Sequence, residues 1–110
     1  MRPIQRYLRL GDDVLVDPRS GVIERYGEAV KVQPKVIEVL VCLASAGTEL
    51  VRRETLMERV WPDVVVSDDT LTTYLSELRR ALGDTSKDSR LIVTEPKRGY
   101  RLTVPATPVG

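Results

Sequence analysis

Leu71, Leu75, Leu78 and Leu82 recur at a spacing that only an α-helix turns into one continuous apolar stripe. Ser67 stands where an N-cap is needed, and Asp68 and Asp69 fall in the first turn, where negative charge complements the helix dipole. Gly83 supplies a left-handed stop. The spacing predicts a helix between Ser67 and Gly83 with its leucines on a core. Thr72, Thr73, Ser76, Glu77, Arg79 and Arg80 are left outside. The rest of the chain must supply the surface that the leucines cover.

Upstream, the segments Tyr7–Leu10, Val14–Asp17, Val22–Arg25 and Ala29–Val32 are rich in Val, Ile, Leu or Tyr and separated by Gly- and Asp-containing turns, which predicts a four-stranded antiparallel meander. Strands this short need a helix against one face. Pro34 opens one, with Val36, Ile37, Leu40, Val41, Leu43 and Ala44 at helical spacing. A second helix is expected from Arg53 to Trp61, ended by Pro62. Gln33 and Arg52 occupy the two cap positions without being good capping residues.

Downstream of Gly83, a polar link from Asp84 to Arg90 leads into strands at Leu91–Thr94 and Tyr100–Val104, joined by the turn Pro96-Lys97-Arg98-Gly99. This is a basic β-hairpin, in which Gly99 is expected to take a positive φ. Residues 105–110 carry two prolines and no periodicity, so they read as the start of a linker or a disordered tail after a domain at 1–104. The fold class is α+β: an N-terminal four-stranded sheet, three helices and a C-terminal hairpin.

Histidine is absent, which removes the usual general base near neutral pH and the commonest zinc ligand. No Gly-rich phosphate loop is present. An enzyme is therefore not expected, nor is a cofactor or a metal. The lone Cys42, in an apolar run, reads as a reduced core thiol. No apolar run approaches the roughly 18 residues of a membrane span and the start lacks a signal-peptide pattern, so a soluble, cytoplasmic chain is expected.

The net charge is only +1, but it is unevenly spread: Met1–Asp69 holds ten Lys/Arg against twelve Asp/Glu, and Thr70–Gly110 seven against four. A local basic patch can hold phosphate in a near-neutral chain. A helix face of hydroxyls and arginines followed by a hairpin bearing Lys97, Arg98 and Arg101 makes a two-point grip on duplex DNA, the helix in the major groove and the hairpin on the minor groove or backbone. Each part has a plainer reading. Arg79 and Arg80 also suit the negative end of a helix dipole, and a Lys-Arg-Gly turn is a common solvated edge.

The runs Val66-Ser67-Asp68-Asp69-Thr70-Leu71, Leu78-Arg79-Arg80-Ala81-Leu82-Gly83-Asp84 and Pro96-Lys97-Arg98-Gly99-Tyr100-Arg101-Leu102 resemble the OmpR/PhoB-type winged helix-turn-helix family, and most resemble its CadC- and ToxR-like branch. The resemblance implies the DNA-binding reader of a bacterial transcription regulator. It places Thr73, Tyr74, Ser76, Glu77 and Arg79 at groove or backbone contacts, Thr94 and Tyr100 at wing positions that touch phosphate, and Arg98 at the wing tip. Trp61 matches a backbone approach, with core packing as the alternative. Family members often carry a basic residue at the place of Glu77. The loop Pro62–Ser67 corresponds to where relatives contact RNA polymerase, and its valines can equally be packing. A dimer on DNA is a further implied partner. No receiver domain is expected to precede the reader, and in the CadC/ToxR-like branch a linker, a membrane helix and a sensory domain follow it. The rival reading is a winged helix that docks proteins, separable by the salt dependence of DNA binding.

Overall fold

A computed structural model describes residues 7–84 and 90–109; most of the expected polar link, the first six residues and Gly110 lie outside these. Four short strands, β1 (Tyr7–Leu10), β2 (Val14–Asp17), β3 (Val22–Arg25) and β4 (Glu28–Lys31), form the expected meander. Alternation sorts their faces. Leu8, Leu10, Val14, Val16 and Ile23 share the inner face, and the fully buried ones among them meet the helices.

Three helices share the core with that face: α1 (Pro34–Ala44), α2 (Arg53–Val60) and α3 (Asp68–Leu82). Leu71, Leu75, Leu78 and Leu82 are all buried, each at most 2% exposed, against Val36, Val39, Leu40 and Leu43 of α1 and Leu56 and Val60 of α2 in one core. The α3 caps follow the sequence expectation, since Ser67 accepts a hydrogen bond from the Thr70 N–H and Gly83 is left-handed at φ 79°. Neither Gln33 nor Arg52 makes a side-chain cap bond. The Lys35 ammonium instead closes the other end of α2, donating to the Val60 carbonyl at 2.7 Å.

The C-terminal hairpin consists of β6 (Ile92–Glu95) and β7 (Gly99–Leu102). A two-residue strand, β5 (Val51–Arg52), lines up with Tyr100 and Gly99 and makes a second sheet in the order β5-β7-β6. That strand was not expected, because two residues carry no periodicity.

Two expectations are corrected. Residues 105–110 are not a linker throughout: β8 (Ala106–Val109) pairs antiparallel with β1, so the first sheet has five strands in the order β4-β3-β2-β1-β8 rather than four. Pro108 is tolerated because β8 is an edge strand, where a missing N–H is not needed by a neighbour. Gly99 does not carry the positive φ; Lys97 does, at 64°.

Candidate nucleic-acid interface

The strip of α3 left by the leucines is solvent-facing. Asp69, Thr72, Thr73, Ser76 and Arg80 are exposed along it. The Thr73 hydroxyl donates back to the Asp69 carbonyl at 2.9 Å, so outward it offers lone pairs and a methyl group. Thr72 and Ser76 make no side-chain hydrogen bond among the described residues, which leaves their hydroxyls able to donate or accept.

Glu77 and Arg79 behave differently from expected groove readers. Glu77 accepts from the Gln33 side-chain amide at 3.2 Å, which draws its carboxylate toward α1. Arg79 crosses to the hairpin, donating through Nη2 to the Thr94 hydroxyl at 2.6 Å and to the Ile92 carbonyl at 3.2 Å. Its Nε is buried without a partner among the described residues.

Tyr74 and Trp61 stack at a tilt of 58° with centroids 5.2 Å apart, and both rings pack against the core. The packing alternative for Trp61 is therefore present in the structure. Tyr100 is 6% exposed and its ring is part of the core.

The wing itself is tightly anchored. Arg98 N–H donates to the Glu95 carbonyl at 2.9 Å, closing a turn with Pro96 second and the left-handed Lys97 third, as type II requires. Behind it, a Cβ on Gly99 would lie 2.0 Å from the Val51 carbonyl oxygen. Glycine is needed there for close backbone approach and not for dihedral freedom. Arg101 pairs with Glu95 at 3.2 Å. Among the described residues, Lys97, Arg98 and Arg80 have no ion pair, and all three are exposed.

Two residues missed in the sequence complete the site. Arg52, exposed, lies opposite Gly99 in the ladder and adds a cation beside the wing turn. Asp84 is 5% exposed and accepts from the backbone N–H groups of Arg90, Leu91 and Ile92 at 2.7 to 3.2 Å. It ties the end of α3 to the start of β6. Its position directly after the Gly83 stop was the available signal.

Elsewhere, Cys42 is free and buried, and burial pushes its thiol pKa up although the nearby Arg59 guanidinium acts against this. Such a thiol is unreactive near neutral pH. Among the described residues no helix is long and apolar enough to cross a membrane.

Residues 27–102 match the family described as "Transcriptional regulatory protein, C terminal" (Trans_reg_C). The chain belongs to this family. It is 38% identical over 102 residues to the transcriptional activator CadC of Escherichia coli K12, covering 92% of this chain and 20% of that protein. It is 34% identical over 107 residues to the transcriptional regulator HilA of Salmonella typhimurium, covering 97% of this chain and 19% of that protein. The chain thus spans about one fifth of the length of these relatives. The solved DNA-binding domain of Escherichia coli CadC superposes with a TM-score of 0.81 at 37% identity, over 96% of this chain and 98% of that one. The fold is that of a winged helix, and the family is one of transcription regulators rather than of enzymes.

Proposed function

We propose that the chain binds double-stranded DNA sequence-specifically as the reader domain of a longer regulator, with α3 in the major groove and the wing on the adjacent minor groove or backbone. The observation that carries this is two exposed sets joined by the Arg79–Thr94 bond: the hydroxyls of Thr72, Thr73 and Ser76 with Arg80 on α3, and a wing whose exposed Lys97 and Arg98 have no ion pair among the described residues. Hydroxyls and a threonine methyl match base edges, while exposed cations on a hairpin match phosphate or the negative minor-groove potential.

Selection on randomised duplexes tests this, followed by profiling Ser76→Ala against single-base operator changes. Specificity should flatten at one or two positions, by about 1–3 kcal/mol, with non-specific affinity retained. Binding that is absent, or that leaves every base preference unchanged in Ser76→Ala, refutes α3 as the reader.

The loop Pro62–Ser67 is offered as the contact with RNA polymerase. Val65 is 99% and Val64 62% exposed, so these valines are not core packing. Val65→Ser should lower promoter activation while leaving DNA affinity unchanged.

A further inference from the structure

We propose that Arg79 is a positioning residue that acts on DNA through Thr94, fixing the Thr94 hydroxyl as a hydrogen-bond donor to a backbone phosphate, and is not itself a base reader. This deepens the duplex-DNA reading above and rests on it.

The geometry commits the guanidinium away from the groove. Nη2 has two hydrogens and two acceptors, the Thr94 hydroxyl at 2.6 Å and the Ile92 carbonyl at 3.2 Å, while Nε is buried. A bidentate grip on guanine uses N–H groups on two neighbouring nitrogens, and with Nη2 committed and Nε buried only Nη1 remains.

The same bond dictates what Thr94 can do. A hydroxyl has one hydrogen and two lone pairs, and arginine has no acceptor. With Arg79 donating into one lone pair, the Thr94 hydrogen cannot point back and must find an acceptor elsewhere. The charge-assisted bond also polarises that O–H and strengthens it as a donor. Phosphate oxygens only accept, so they are matched to it. Thr94 is exposed, faces Tyr100 in the ladder and stands one residue before Glu95, whose carbonyl closes the wing turn. Its exposed hydroxyl thus lies on the strand that leads into the turn bearing Lys97 and Arg98.

Thr94→Val, Thr94→Ser, Arg79→Ala and the double variant Arg79→Ala/Thr94→Val are titrated by anisotropy against the selected duplex and its single-base changes, with thermal melting alongside. Thr94→Val and Arg79→Ala should each weaken binding roughly tenfold at every duplex, leaving the ranking of bases intact. Thr94→Ser should stay within about twofold of the parent, since it keeps the hydroxyl. The double variant should be no weaker than Arg79→Ala. Loss of preference at one or two base pairs in Arg79→Ala, or additive losses in the double variant, overturns the inference. Should Arg79→Ala unfold, the exposed Thr94 pair decides: equal loss in Thr94→Ser and Thr94→Val, or none in either, overturns it. Failure of the parent chain to bind any duplex overturns the DNA reading itself, and is seen before any variant is made.

Discussion

The backbone N–H of Arg53 donates to the carbonyl of Arg98 across 3.2 Å, so a helix without a side-chain cap at Arg52 finds an acceptor at the wing. Helix α2 and the hairpin turn are thereby fixed to each other. Changes at the wing should consequently register in stability as well as in binding.

Gly99→Ala is the sharpest case. Its Cβ would meet the Val51 carbonyl and the Arg52 backbone, so β5 must move away from β7. Overpacking of this kind costs about 1–3 kcal/mol. Urea unfolding should show that loss, and DNA affinity should fall with it. An unchanged midpoint would mean that β5 yields freely.

At Lys97 stability and binding should move in opposite directions. A left-handed conformation costs an ordinary residue about 1 kcal/mol, and asparagine tolerates it better. Lys97→Asn should raise stability by roughly 0.5–1 kcal/mol while weakening DNA binding through the lost cation. Chemical denaturation and anisotropy measured on one preparation check both signs.

Asp84→Ala removes an acceptor shared by three consecutive backbone N–H groups and leaves them without it. Hydrogen bonds to a charged group are the stronger class, and a loss of roughly 3 kcal/mol is expected. Melting of this variant within about 2 °C of the parent would contradict that anchoring.

Arg98→Ala should weaken binding to all duplexes alike and reduce the slope of log affinity against log salt by about one, as for one lost phosphate contact. Equal slopes in mutant and parent would take Arg98 off the DNA.

Long periodic features were legible in the sequence: the leucine stripe, the two caps of α3, the meander and the basic hairpin. What could not be read depends on partners distant in the chain. Val51 and Arg52 become a strand only because Tyr100 and Gly99 lie beside them, and Ala106–Val109 only because β1 offers an edge. Arg79 was expected outside with Ser76 and Thr72, but it is half-buried, and its length lets it reach Thr94, 15 residues on. Gly99 was singled out for a dihedral reason, whereas the need is space against Val51.

The pairing of Tyr7 with Val109 joins residues about a hundred positions apart, so the first strand among the described residues is completed by the last of them. During synthesis β1 can dock on β2 early, yet its other side keeps bare N–H and C=O groups until β8 has left the ribosome. Contacts of such sequence separation close slowly, and an edge left open meanwhile can recruit the wrong strand. The brevity of β1 and the proline in β8 limit that hazard, since neither offers a long uninterrupted template to another chain.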